Sequence, residues 1–166
     1  MFITIHAAAA AVIGKKVTNP YLAFILGFVL HFAGDIIPHG DEQLGKKFFG
    51  LDISNIFQPE TKLKFMALYG SLDACALVIF LLFLFRNFTF ANSDSVTWAM
   101  IGGILPDILV ALYQLGKFRI LKGFSEFHNW NHHLLLKRIK SDIPLQYGLL
   151  LQVAAMALLI WLIYVF

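Results

Sequence analysis

The sequence predicts an all-α, multi-pass transmembrane helical bundle with four spans and a short N-terminal helix. Of the 166 residues, 59% are hydrophobic and only 14% are charged, whereas soluble domains carry about 25% charged residues. A soluble domain of this length could not bury so much apolar surface, so the soluble and disordered classes are excluded. The length leaves room for a single integral-membrane domain, residues 1–166.

The first segment, Met1–Gly14, is about 21 Å long as a helix, so it either spans marginally or packs as a half-inserted helix. No basic residue precedes its apolar stretch, and Lys15 and Lys16 follow it. We therefore expect it to be retained and not cleaved as a signal peptide. The first full span is predicted over Val17–Gly34, where Asn19-Pro20 suits a helix N-terminus.

Three further spans are predicted from runs long enough to cross a hydrocarbon core of about 30 Å. They are Phe65–Phe85, Ser95–Gly116 and Leu145–Phe166. The first contains Asp73 and the second Asp107 as its only charged residue, and the third contains none. Two connections are long, at about 39–61 and 117–142, and both mix apolar and charged residues. This composition predicts interfacial segments in the headgroup region.

The basic residues predict the orientation of the chain. If every helix crosses, ten Lys and Arg residues fall on one side, and Lys15, Lys16 and Arg86 fall on the other. The richer side is expected to be cytoplasmic, which places the C-terminus outside. On this topology all six histidines and Asp107 lie at or near the cytoplasmic face.

The spacing of these ionisable residues indicates metal binding. His31, Asp35 and His39 are four residues apart, so on a helix they share one face, and His128 and His132 repeat the spacing. Imidazole and carboxylate are ligand types that zinc prefers. Ionisable groups within spans are costly and normally face a bundle interior or a wet cavity. A metal site near the cytoplasmic face is therefore predicted.

Prolines and glycines are expected to shape this site. Pro38 is expected to end the second helix, so that His39 turns back over the site. Pro106 precedes Asp107 and is expected to open its helix locally, which leaves the acid at the break. Gly102-Gly103 allow another helix to approach closely.

Each ionisable residue also has a structural interpretation. His6 is alternatively an interfacial histidine near a helix end, and His132-His133 a solvated basic loop. Asp73 has no histidine at helical spacing, so a structural hydrogen bond or a supporting contact to a ligand is favoured over ligation. The whole group is alternatively a buried polar network that ties helices together.

The motifs together resemble a known family. An early His6, then His31-Phe-Ala-Gly-Asp35-Ile-Ile-Pro38-His39, then Gly102-Gly-Ile-Leu-Pro106-Asp107 and a late histidine cluster look like the YdjM/YbcI-type membrane-bound metal-dependent hydrolases of prokaryotes. A more distant resemblance is to the sites of zinc-dependent phospholipase C and P1 nuclease. The resemblance implies a site with two or three zinc ions that hydrolyses phosphoesters, with Asp107 as a bridging ligand or base. Manganese is the alternative metal.

We therefore expect an enzyme, a metal-dependent hydrolase with Asp107 as its catalytic residue. The expected metal ligands are His6, His31, Asp35, His39, Asp107, His128 and His132. The residues expected to orient these ligands from behind are Asp73, Asn129 and His133. The expected location is the prokaryotic cytoplasmic membrane, with the site facing the cytoplasm.

The expected partners are membrane lipids. Lys46, Lys47, Lys137 and Arg138 would attract an anionic lipid or a lipid-linked phosphate as substrate, and no nucleic-acid partner is expected. The oligomeric state stays open. The alternative is a non-enzymatic metal- or lipid-binding membrane protein with a structural His/Asp network. Transport is disfavoured because the outer half of the predicted bundle is almost wholly apolar.

Overall fold

The computed structural model describes residues 1–40, 59–139 and 143–166, and in these ranges the chain is helical without strands. The helices are α1 (Ile3–Lys16), α2 (Pro20–Asp35), α3 (Pro59–Asn87), α4 (Ser93–Gly116), α5 (Lys122–His132), α6 (Leu136–Ile139) and α7 (Leu145–Val165). A 3-10 turn at Arg119–Leu121 joins α4 to α5. The all-α prediction is confirmed for these ranges.

Within the described ranges, three helices are long and apolar enough to cross a membrane. The stretches that qualify are Gly70–Asn87 in α3, Ser93–Gly116, which is the whole of α4, and Gln146–Val165 in α7. They correspond to the three predicted spans that follow the long first connection. Helix α2 is apolar but has only 16 residues, which is about 24 Å of helix.

Helix α2 begins at Pro20 and ends three residues before Pro38. The Asn19 side chain accepts hydrogen bonds from the N–H groups of Tyr21 and Leu22, at 2.9 and 3.1 Å, and Pro20 occupies the first helical position. The helix therefore starts at the predicted Asn19-Pro20 N-terminus, inside the uncharged run Val17–Gly34. It ends at Asp35, so His39 lies beyond the helix as predicted.

Helix α1 lies at the centre of the bundle and contacts α2, α3, α4 and α7. Eight of its 14 residues are buried, and most of these are alanine or glycine. Small side chains allow neighbouring helices to approach closely. Helix α1 is therefore a core element enclosed by the other helices.

Helices α2 and α4 pack with almost no space between their backbones. A Cβ atom on Gly102 would lie 2.2 Å from the carbonyl oxygen of Phe24, and one on Gly27 would lie 2.1 Å from that of Ala99. No side chain fits at either position. The close helix approach predicted for Gly102-Gly103 is confirmed.

The predicted opening of the helix at Pro106 does not interrupt α4. The helix runs continuously from Ser93 to Gly116, with the proline buried inside it. A proline removes its own N–H bond to the carbonyl four residues earlier and crowds that carbonyl, which disturbs one turn. Packing against α1 and α2 holds the remaining turns, so Asp107 projects from an intact helix.

The long connections differ from the predicted segments. Helix α3 begins at Pro59, inside the connection predicted at about 39–61. Residues 41–58, which include Lys46 and Lys47, lie outside the described ranges. The connection predicted at 117–142 contains α5 and α6, and Phe127 and Trp130 of α5 are exposed beside the basic residues of this segment. Exposed aromatic and basic side chains are typical of an interfacial helix.

Candidate metal centre

Four side chains from three helices form a compact cluster, the central group. It consists of His31 and Asp35 from α2, Asp107 from α4 and His128 from α5, and one ligand atom of each lies within 4.8 Å of the others. His31 Nε2 is 3.0 Å from His128 Nε2, 3.2 Å from Asp35 Oδ2 and 3.8 Å from Asp107 Oδ1. His128 Nε2 is 3.2 Å from Asp35 Oδ2 and 3.4 Å from Asp107 Oδ1.

These separations match the spacing of ligands around one small cation. Zinc bonds of 2.0–2.1 Å to nitrogen or oxygen place the corners of a tetrahedron about 3.3 Å apart. The five distances in the central group run from 3.0 to 3.8 Å. Two imidazoles and two carboxylates are also a donor set that zinc and manganese accept. The residues present therefore fit a metal ion.

The central group has more hydrogen-bond acceptors than hydrogens that can be donated to them. His31 Nδ1 lies 2.8 Å from the carbonyl oxygen of Gly103, which can only accept, so a neutral His31 carries its hydrogen on Nδ1 and presents a lone pair from Nε2. The Nε2 atom of His128 supplies at most one hydrogen to three acceptors within 3.4 Å. A cation at this point satisfies the surplus acceptors.

The electrostatics of the group favour a positive charge. Burial lowers the pKa of His128, but hydrogen bonds to Asp107 and Asp35 outweigh the burial and raise the pKa to about 9. Without a metal ion, His128 therefore carries a proton at neutral pH. Its Nδ1 atom is buried and has no hydrogen-bond partner among the described residues.

A second set of ligands, the outer group, shares one carboxylate with the first. It consists of Asp35, His39 and His132. His39 Nδ1 donates to the carbonyl oxygen of Ile37 at 2.6 Å, so its Nε2 presents a lone pair. This atom lies 3.2 Å from His132 Nε2 and also accepts from the Met1 ammonium, which donates to Asp35 Oδ1 at 3.1 Å. The resemblance implied Asp107 as a bridging ligand. In the structure Asp35 belongs to both groups and Asp107 to the central group alone.

His6, an expected ligand, lies beside the central group and contacts Asp35. Its Nε2 atom is 3.0 Å from Asp35 Oδ1, and its ring stacks on His31 with centroids 4.0 Å apart. A carboxylate accepts, so His6 donates this hydrogen bond. Among the described residues His6 belongs to neither ligand group. Its position fixes Asp35 so that the other carboxylate oxygen faces the central group.

Asp73, expected to support a ligand, caps the N-terminus of α1. Its Oδ2 atom accepts from the Ile3 N–H at 2.6 Å, and its Oδ1 accepts from the N–H and hydroxyl of Thr4 at 3.2 and 2.7 Å. Gln152 of α7 extends this arrangement, since it accepts from the Phe2 N–H at 3.0 Å and donates to the His39 carbonyl at 3.4 Å. The contacts of Asp73 are therefore structural hydrogen bonds, which is one of the two roles that were favoured for it over ligation.

Two other expected supporting residues lie on the outer side of α5. Asn129 is exposed, and its backbone oxygen accepts from His133 Nδ1 at 2.6 Å. The residue that ties α5 to α2 is Asn131, which is buried and donates to the Phe32 carbonyl at 2.9 Å. Sequence reasoning missed Asn131, although residues three apart share a helix face and it follows His128 by three.

Comparison with known proteins gives no relative from which a function can be carried over. No protein-family model matches the chain, and neither a curated protein nor a solved structure matches it. The chemistry of the two ligand groups therefore has to be inferred from their own residues and geometry.

Proposed function

We propose that this protein is a membrane-embedded metal-dependent hydrolase that cleaves a phosphoester bond in a lipid or lipid-linked substrate. The observation that carries the proposal is the central group, in which ligand atoms of two histidines and two aspartates lie within 4.8 Å of one another. The outer group shares Asp35 and favours a second metal ion. Imidazole and carboxylate ligands favour zinc as the metal, with manganese as the alternative.

The residues of the central group divide into buried ligands and one accessible acid. Bound zinc would act as a Lewis acid and supply a nucleophile at neutral pH. The Asp107 side chain is 22% exposed, whereas those of His31, Asp35 and His128 are no more than 7% exposed. We therefore assign Asp107 as the base, because it alone is open to water and substrate. His6 and the Gly103 carbonyl would hold Asp35 and His31 in fixed orientations.

We also infer that α2 is a fourth span and that the site faces the cytoplasm. A span of this length is accommodated by local thinning of the bilayer. Lys15 and Lys16 lie beside the last turn of α7, where they contact the Ile163 carbonyl and the Phe166 ring. The basic residues on the other side of the predicted topology include Lys117, Arg119, Lys122, Lys137 and Arg138. The positive-inside rule favours that side as cytoplasmic, and an anionic headgroup would be attracted to it.

The metal content of the purified protein tests the proposal. Elemental mass spectrometry is expected to find one or two zinc or manganese ions per chain. His128→Gln and Asp35→Asn are expected to lose most of the metal, while His133→Gln, a histidine near the same helix end but outside both groups, is the matched control. Folding is checked by circular dichroism and size exclusion. A folded wild-type protein without metal would refute the proposal.

Hydrolysis is tested separately on vesicles of phosphatidylglycerol and phosphatidic acid. The metal-loaded wild type is expected to release a soluble headgroup or phosphate, and Asp107→Asn is expected to be slower by about 100-fold or more, because a positioned base contributes at least that factor. A protein that holds metal and cleaves no phosphoester would instead be the non-enzymatic metal-binding protein.

A further inference from the structure

An apolar groove separates α3 from α7 on one side of α1. Its volume is about 400 Å³, and its main lining residues are Ile5, Leu72, Ala76, Leu149, Val153 and Met156. Helices α3 and α7 both pack against α1 but, in the described ranges, make few contacts with each other. Helix α1 therefore forms the floor of the groove, and the two longer helices form its walls.

We propose that this groove holds an acyl chain of the lipid substrate; this inference rests on the proposed function. Leu72 and Val153 on the two walls are 64% and 68% exposed. Both lie in stretches that are long and apolar enough to cross a membrane. The groove is thus continuous with the surface that faces the hydrocarbon core, where acyl chains are the surrounding medium.

The polar groups at the groove leave nothing for a polar ligand. Asp73 and Thr4 line it, but their side chains bond to each other at 2.7 Å, and the Asp73 carboxylate also accepts from the first turn of α1. Gln152 lines it as well, and its amide bonds to Phe2 and to the His39 carbonyl. The remaining lining residues are apolar, which suits a hydrocarbon chain.

One side of the groove adjoins the outer ligand group. Gln152 contacts the groove and also donates to the carbonyl of His39, whose ring belongs to that group. A lipid with one acyl chain in the groove therefore has its polar end on the side of the ligands. The groove would select a membrane lipid over a soluble phosphoester, because only a lipid gains binding energy from it.

Photolabelling in phosphatidylglycerol vesicles tests this site, with a phosphatidylglycerol that carries a diazirine in its acyl chain as the probe. Wild-type protein is expected to be labelled preferentially at the groove. Ala76→Phe is expected to reduce this labelling about fivefold or more, because the ring takes up the space. Ala74→Phe, an exposed position on the same helix outside the lining, is the matched control. If Ala76→Phe does not fold, Val153→Phe fills the groove from the other wall.

Three results would overturn the acyl-chain site. They are equal labelling in wild type and Ala76→Phe, labelling spread evenly over the lipid-facing side chains, and a crosslink through the groove to a second copy of the chain. Ala76→Phe is also expected to slow hydrolysis of the vesicle lipid about tenfold while leaving that of p-nitrophenyl phosphate unchanged, because only the lipid uses the groove.

Metal content separates this inference from the proposed function. Ala76 lies outside both ligand groups, so Ala76→Phe is expected to keep the wild-type metal content. A wild-type protein without metal would refute the hydrolase and leave the photolabelling result standing as a lipid site. Labelling that is spread evenly over a fully metal-loaded protein would refute only the acyl-chain site in the groove.

Discussion

Metal binding to the central group is expected to displace one proton from His128. The pKa of this histidine is raised to about 9, since its hydrogen bonds to Asp107 and Asp35 outweigh the opposing effect of burial. A metal ion needs the lone pair of a neutral imidazole, so the proton must leave before His128 can ligate. The apparent association constant should therefore rise about tenfold per pH unit until pH reaches the pKa.

The size of the effect follows from the distance between pH and pKa. At pH 7, two units below the pKa of about 9, the proton weakens metal binding by about 2.7 kcal/mol, or about 100-fold in Kd. A histidine with the ordinary pKa of about 6.5 would give almost no slope above pH 7. In the metal-free protein, the free energy of unfolding should instead decrease as pH rises. The contribution of charged His128 is complete below pH of about 6.5 and is lost as pH rises through about 9.

Zinc titrations against a competing chelator between about pH 7 and 8.5 measure this slope. Calorimetry in buffers of different ionisation enthalpy counts the protons released. Wild type and the control His133→Gln are expected to release about one proton, whereas His128→Asn should bind more weakly and with a flat pH dependence. A wild-type affinity that does not change across this window would refute the reasoning.

Two further predictions concern the packing that supports the site, and both are measured by unfolding in detergent. Asp73→Ala leaves the first turn of α1 without its acceptors and is expected to cost about 1–3 kcal/mol, while Asp73→Asn keeps one acceptor and should cost less. Gly27→Ala would place a Cβ 2.1 Å from the Ala99 carbonyl oxygen and is expected to cost about 1–3 kcal/mol or more. Gly70→Ala meets no atom within 4 Å and is expected to stabilise by about 0.5–1 kcal/mol; equal effects of the two glycine substitutions would contradict the packing argument.

The membrane helices could be predicted because their determinants are local. An uncharged run of sufficient length must be helical in lipid, and the predicted Leu145–Phe166 corresponds to α7 at Leu145–Val165. Asn19-Pro20 marked the start of α2 for the same reason, since a cap and a proline act on adjacent residues. The central position of α1 was not predictable from its length, because enclosure depends on how other helices surround its small side chains.

Which residues belong to the ligand groups was predictable in part, but which residue the two groups share was not. The spacing of His31 and Asp35 places them together on one helix, and Asp107 and His128 join them across the bundle. Which carboxylate both groups share depends on the angles between helices, which spacing does not encode. The contact between His6 and Asp35 likewise requires α1 to lie against α2.

The partners of Asp73 were beyond sequence reasoning for a different reason. No residue at helical spacing from Asp73 marks its role, because its hydrogen-bond partners lie about 70 positions earlier in the chain. Gln152 is similarly an isolated polar residue, with apolar neighbours on both sides in α7. A lone polar residue in a span indicates that a partner exists, but the partner becomes known only when the helices are assembled.

The two caps on α1 join the start of this helix to residues far along the chain. The N–H of Ile3 bonds to a carboxylate 70 positions later, and that of Phe2 to an amide 150 positions later. Lipid offers no water to substitute for these acceptors. The N-terminus of α1 is therefore fully hydrogen-bonded only when α3 and α7 are in place, and Gln152 of α7 also holds the backbone of His39.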